Sequence, residues 1–350
     1  MTDNFLVNLK NLSKIYLNIA LKHCKKYKAH LKAFLKRKTK RKNIKSLFFS
    51  IIKEWKTSSA LLFMVIILYY GLGAHISSHI NKQLNKDLQP STANERHATI
   101  GLIHSLKSQI DDAPWTPSLP IIFPASILDN LPNFQLGVKD GVKHYIKNMS
   151  ALYLNQSLKD AGKLLNYSPN IWLFSQDKND KLLPGSAKQY RKSLGFLSDF
   201  SKKQNTQHPL SLDDFIYQIN SINKLLETNI NKINKHTLEH NSNLVDTSAD
   251  NLFYYTQGLL YTTHYYLSGL GKDYQDLIVE TEAYETYTSA LMLLKNAINL
   301  NPIIVKNAPL DSAYSANHLI YLSNYISRTQ NKLYEIINHI KKTKDQKLWW

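Results

Sequence analysis

Between Lys56 and Lys82 the chain carries 25 residues without an aspartate, glutamate, lysine or arginine. The centre of that run, from Ala60 to Ala74, reads Ala-Leu-Leu-Phe-Met-Val-Ile-Ile-Leu-Tyr-Tyr-Gly-Leu-Gly-Ala. A helix needs about 20 predominantly apolar residues to cross a hydrocarbon core about 30 Å thick, and no other stretch of the 350 residues is as apolar over that length. The pattern predicts one transmembrane helix over residues 57–80. It gives the chain an address, whereas no catalytic signature of comparable strength is present.

Charge sets the expected orientation. Residues 1–56 hold 16 Lys or Arg against Asp3 and Glu54 alone, so most of the formal net charge of +18 lies ahead of the span. Lysines and arginines flanking a first span are retained in the cytoplasm. The N-terminus is therefore expected inside a bacterial inner membrane and the residues beyond 80 in the periplasm. Trp55 and the Tyr69-Tyr70 pair sit near the two ends of the run, where interfacial aromatics belong. A cleaved signal peptide is the competing reading, but a basic region of 56 residues is far longer than an ordinary signal n-region. The single cysteine, Cys24, falls on the cytoplasmic side, so the exported part must be stabilised by its core and not by an intramolecular disulfide.

The basic arm, residues 1–56, carries Phe5, Leu9, Leu12, Tyr16 and Ile19 at spacings of four, three, four and three, the period of an amphipathic helix. It then passes into Lys36, Arg37, Lys38, Lys40, Arg41 and Lys42, six cations in seven residues close to the span. Each juxtamembrane cation contributes about 1 kcal/mol near an anionic leaflet. The expected partner is thus a bilayer with anionic headgroups. Nucleic acid is disfavoured, because the arm is tethered and carries no recognition motif.

Residues 81–124 read as a stalk and linker. Their helical spacing is modest, and Pro114, Pro117, Pro120 and Pro124 forbid a regular helix and impose a stiff, extended path. Helical signals then dominate residues 125–350, over about 125–165, 187–203, 211–241, 250–269, 273–299 and 312–341. The clearest has Ser211 as N-cap ahead of a stripe of Phe215, Ile219, Ile222, Leu226, Ile230 and Ile233. Alternating strand patterns are nearly absent, which predicts an all-α, antiparallel helical-bundle domain with one long irregular loop at 166–186.

Polar residues at apolar sites are the candidate functional groups. Asp129, Asn130, Asn133 and Gln135 lie among Leu, Ile, Pro and Phe, where buried polar groups must find partners. Helix capping accounts for such residues, as it does for Asp246 or Thr247 ahead of a helix near Ala249. If folding brings Asp129 beside Asp250, the two form a carboxylate pair suited to acid/base hydrolysis. His236-Thr-Leu-Glu239-His240 matches H-x-x-E-H, the spacing that sets two imidazoles one helical turn apart for zinc in inverzincin proteases. Neither a third ligand nor the surrounding signature accompanies it, so a solvated helix end is the ordinary reading. Tyr254 belongs to an aromatic run with Phe253, Tyr255, Tyr261, Tyr265 and Tyr266, read as core or as a face for glycans or protein partners. A Gly-rich phosphate loop, a Cys-based metal site and a G-x-S-x-G elbow are all lacking, which disfavours nucleotide use and serine hydrolase chemistry and implies no cofactor.

Several segments together resemble an uncharacterised bacterial family known as domain of unknown function 2333. They are Trp115-Thr-Pro117, Pro124 to Gln135, Tyr167 to Phe174, Tyr190-Arg191, Asp246 to Tyr254, and Asn307 to Asp311 followed by Asn317-His318-Leu319. The likeness runs over roughly residues 60–335 and departs at Ser248, where the family pattern has a basic residue. It implies a membrane-anchored envelope protein and adds His318 to the candidate partner site, with no reaction attached. The sequence therefore supports a scaffold or regulator of other envelope components. A cell-wall hydrolase or glycan-binding factor is the alternative, and whether the chain is an enzyme stays open.

Overall fold

A computed structural model describes residues 44–77, 80–84, 88–126, 128–176, 182–240, 246–309 and 315–347. The amphipathic stripe of the arm and the cluster Lys36, Arg37, Lys38, Lys40, Arg41 and Lys42 lie outside these residues. Helix makes up 75% of the structure, and strand is confined to one two-stranded hairpin among the described residues, so the class is all-α.

The chain divides into two compact units, Met1–Ile66 and Ile67–Trp350. In the first, the described residues belong to helix α1 (Ile44–Ser77), which continues into the second. Trp55, Leu61, Leu62, Phe63 and Met64 are all more than half exposed. Over Trp55–Gly73, α1 is the one helix among the described residues long and apolar enough to cross a membrane, and none of that stretch is buried.

In the second unit the remaining helices are α2 (His97–Asp111), α3 (Asn130–Tyr153), α4 (Gln156–Leu165), α5 (Ser186–Ser201), α6 (Gln204–Gln207), α7 (Leu212–Glu239), α8 (Thr247–Asp273), α9 (Gln275–Glu280), α10 (Tyr284–Asn299) and α11 (His318–Lys347). Strands β1 (Phe174–Gln176) and β2 (Leu182–Pro184) pair antiparallel between α4 and α5, with Ser175 opposite Leu183. The predicted irregular loop thus contains a short hairpin. Ser211 caps α7 by accepting from Asp214 N at 3.1 Å, and the predicted stripe is buried apart from Ile230, which is partly so. The helix expected over 125–165 is two. Leu154 turns left-handed at φ 49°, and Asn155 caps the restart by accepting from Ser157 N at 2.9 Å.

Helix α8 is the centre, with Phe253, Tyr261, Tyr266 and Leu267 essentially inaccessible. Contacts between α8 and α3 rise together in sequence: Asn130 meets Asp250, Phe134 meets Tyr261, and Tyr145 stacks on Tyr266 at 4.3 Å. These two helices are parallel, which corrects the expectation of a wholly antiparallel bundle. Glycines permit the approach, since a Cβ on Gly137 would lie 2.0 Å from Tyr255 O and one on Gly258 would lie 2.0 Å from Phe134 O. By contrast α2, α7 and α10 run antiparallel to α8, as shown by Gly101 against Tyr265, Phe215 against Tyr274 and Tyr287 bonding Leu267 O.

The stalk reading of 81–124 is corrected as well. Helix α2 lies in the core, with Ala98, Leu102, Leu106 and Ile110 buried. Its sequence looked solvated because its inner face is also built from Thr99, Gly101, Ser105, Ser108 and Gln109. Thr99 Oγ1 donates to Gln204 Oε1 at 2.6 Å and Ser105 Oγ to Leu102 O at 2.9 Å, so these polar groups are satisfied without water. The prolines exclude a regular α-helix as expected, but the path is not extended: it folds into 3-10 turns at Thr116–Ser118 and Pro124–Ser126.

Candidate functional site

Because α3 and α8 are parallel, their N-termini lie at the same end of the domain, and each brings a carboxylate there. Asp129 is the residue ahead of α3, but its side chain caps nothing; its carbonyl accepts from Asn133 N at 3.0 Å and Asn133 Nδ2 at 2.7 Å. Asp250 stands in the first turn of α8, whose N-cap is Asp246. With its amide nitrogen turned to the acids, Asn130 donates to Asp250 Oδ2 at 2.5 Å and Asp129 Oδ1 at 3.3 Å. The structure therefore brings Asp129, Asn130 and Asp250 into one cluster, with Asn133 tied to it through Asn251 Oδ1 at 2.6 Å.

Two helix N-termini favour negative charge, yet the Asp250 carboxyl is pushed up to about 6, first by burial and then by the charge of Asp129. Desolvation and like charge outweigh the dipoles here. One turn on, Tyr254 is buried and its hydroxyl is also pushed up, by burial and then by the charges of Asp250 and Asp129. Lys82 lies over the Tyr254 ring, 5.4 Å from its centroid, and donates to Gln257 Oε1 at 2.6 Å. Burial brings the Lys82 ammonium down to about 8. An acid raised and a base lowered toward neutrality near one tyrosine is the kind of arrangement that proton-transfer sites use.

Lys82 and Gln257 were not anticipated. A lysine shortly after an apolar run looks solvated, and only the fold shows Gln257 fixed by donating to Ala297 O, Ile298 O and Leu300 O. Two hollows flank residues 81–84. One of about 520 Å³ is lined by Asn81, Gln83, His104, Ser108, Asp112, Tyr261 and Tyr265. The other, about 300 Å³, is lined by Lys82, Gln83, Leu84, Lys295 and Asn299.

The other candidate residues serve internal joints. Gln135 is fully buried and uses its whole amide on the proline-rich segment: Oε1 accepts from Thr116 N at 2.9 Å and Thr116 Oγ1 at 2.6 Å, while Nε2 donates to Gln109 O and Pro114 O, both at 3.0 Å. Beside it Trp115 Nε1 donates to Pro169 O at 2.8 Å. Gln135 is not part of the acid cluster with which sequence grouped it. Asp246 caps α8 by accepting from Ser248 N at 3.0 Å and Ala249 N at 3.1 Å. Burial alone would raise its carboxyl, but hydrogen bonds from Ser248, His236 and Ala249 and the His236 charge hold it down at about 2. His318 Nδ1 accepts from Lys306 N at 2.9 Å, and Asn317 Nδ2 donates to Asn307 Oδ1 at 2.9 Å and Ala308 O at 2.7 Å, clasping the loop ahead of α11.

In the H-x-x-E-H segment, His236 Nε2 pairs with Asp246 Oδ2 at 2.8 Å and its ring stacks on that of His240 at 4.4 Å. Glu239 reaches Lys235 instead, at 3.8 Å. Among the described residues no group of three or more His, Cys, Asp or Glu is placed to hold a metal ion.

The fold and the site together define an all-α domain joined to an exposed apolar helix, with an acid cluster at the parallel N-termini of α3 and α8. No protein-family model, no curated protein and no solved structure matches the chain.

Proposed function

We propose that the chain is a single-span bacterial inner-membrane protein with its N-terminus in the cytoplasm, whose helical domain stands on the periplasmic side as a scaffold or regulator of other envelope components. The observation that carries this reading is the uncovered apolar stretch Trp55–Gly73 joined to a densely packed helical domain. The charge imbalance about that stretch supports the orientation. The resemblance to the domain of unknown function 2333 family belongs to the same proposal. So does the use of Gln135, Asp246 and His318 in internal joints, which takes three of the eight candidate residues out of consideration for chemistry. The anionic inner leaflet is the proposed partner of the Lys36–Lys42 cluster.

Alkaline phosphatase fused after Trp350 should be active, and the protein should fractionate with membranes. A fusion active only as a cytosolic reporter, or a freely soluble protein, would overturn the topology. Photo-crosslinkers placed over the domain surface in cells should yield a discrete adduct with another envelope protein, and adducts at no position would overturn the scaffold role.

The acid cluster favours a second reading, a cell-wall hydrolase or glycan-binding factor in which Asp250 exchanges a proton beside Asp129 and Tyr254. Under it, Asp250→Asn in the purified full chain abolishes release or retention of cell-wall material. If wild type and variant behave alike on purified sacculi, that reading fails.

A further inference from the structure

Two neighbouring segments of the second unit leave large apolar side chains in the open. In the proline-rich turn Ile121 is 78% exposed and Ile122 59%. At the hairpin Leu173 is 58%, Phe174 64% and Leu182 62% exposed. Phe123 joins the two segments by packing edge-on against Trp172, with centroids 5.4 Å apart. Soluble surfaces scatter single apolar residues, whereas a contiguous group of this size marks an interaction surface.

The position of the group identifies its occupant. Tyr69 Oη donates to Ile122 O and Tyr70 Oη to Ile121 O, both at 3.2 Å. These tyrosines lie in the last turns of the apolar stretch that ends at Gly73, so the carbonyls they hold are level with the end of that stretch. We propose that the Ile121-Ile122 turn and the exposed side chains of Leu173, Phe174 and Leu182 dip into the acyl boundary of the periplasmic leaflet, a second membrane contact beside the span. The occupant is lipid, because a helix end that is itself in the interface carries the patch with it, and aromatic rings such as Trp172 and Phe174 suit that depth. The inference rests on the membrane-spanning reading of α1.

The test uses the full chain with Cys24→Ser, reconstituted in nanodiscs of phosphatidylethanolamine and phosphatidylglycerol. An environment-sensitive fluorophore is attached at Ile122→Cys, Leu173→Cys, Leu68→Cys inside the span, or Leu210→Cys, which leads into α7 at the far end of α8. Labels at 122 and 173 should lose about half their emission to lipids spin-labelled near the headgroup end of the acyl chain, as expected for groups at the headgroup/acyl boundary. They should also resist iodide, and the label at 210 should do the reverse. Lipid quenching at 68 with free iodide access at 122 and 173 would overturn the inference and leave the span intact. Protection from iodide at 122 and 173 without lipid quenching would also overturn it, in favour of a protein contact. Absence of lipid quenching at 68 would remove the span and the inference with it.

Discussion

Asp273, at the end of α8, accepts a hydrogen bond from the backbone N–H of His97 at 2.8 Å, across 176 residues of chain. Its other oxygen accepts from Ala98 N at 2.9 Å, and His97 Nδ1 lies 3.0 Å from the first. One almost fully buried carboxylate thus caps the first turn of α2 from a different helix, a role usually filled by the residue just before the helix. The local N-cap, Arg96, makes no such bond. Asp273→Ala should lower stability by about 2 kcal/mol by orphaning two helix amides. That corresponds to a fall in melting temperature of roughly 4–8 °C for a domain of this size. Asp273→Asn, which keeps an acceptor, should lose less. Circular-dichroism melts in detergent micelles measure both.

Two glycines offer a matched contrast. A methyl on Gly258 would strike Phe134 O at 2.0 Å, backbone that cannot swing aside, so Gly258→Ala must push α3 off α8 and should cost about 3 kcal/mol. A methyl on Gly195 in α5 meets nothing within 4 Å, and Gly195→Ala should stabilise by up to about 1 kcal/mol through helix propensity. Equal effects in urea unfolding would refute the close packing of the parallel pair.

Leu154 is 75% exposed and holds φ at 49°, in the left-handed region that disfavours side chains. Because it contributes little packing, Leu154→Gly should raise stability by about 1 kcal/mol. A loss of stability in the same melts would mean that the turn between α3 and α4 depends on the leucine side chain.

The raised Asp250 carboxyl makes a signed pH prediction. Its folded value is about 6 against an ordinary 3.8, so between these the folded state holds the extra proton. Stability contributed by this group is then greatest below about pH 4 and falls as pH rises through 6. Since Asp250 is partly solvated, the effect at pH 7 is about 1 kcal/mol after screening. Asp250→Asn should therefore be more stable than wild type at pH 7 and no more stable at pH 4. Asp246 has the opposite sign: its contribution is present above 3.8 and lost as pH falls toward 2. Melts from pH 3 to 8 on wild type and Asp250→Asn separate the two.

How much of this was legible in the sequence depended on where the information lies. The stripe of α7 and its Ser211 cap are local, periodic signals, and they appear where expected. The Asp246 cap was legible for the same reason. Helix α2 was not, because Thr99, Ser105 and Gln109 look solvated until Gln204 and the helix's own carbonyls are seen to satisfy them. The parallel pairing of α3 with α8 depends on Gly137 and Gly258, whose spacing carries no direction. The juxtaposition of Asp129 with Asp250 is one outcome the sequence allows, whereas Lys82 reads in sequence as part of a stalk, and only the tertiary contact with Tyr254 and Gln257 brings it to α8.

That contact limits how far the domain can roam. Helix α1 ends at Ser77, and by Lys82 the chain is already fastened through Gln257 into α8. Five residues reach at most about 18 Å. If α1 is held in a bilayer, the domain is moored at the surface with almost no leash. Under that condition, any molecule the domain engages has to reach it at the lipid surface.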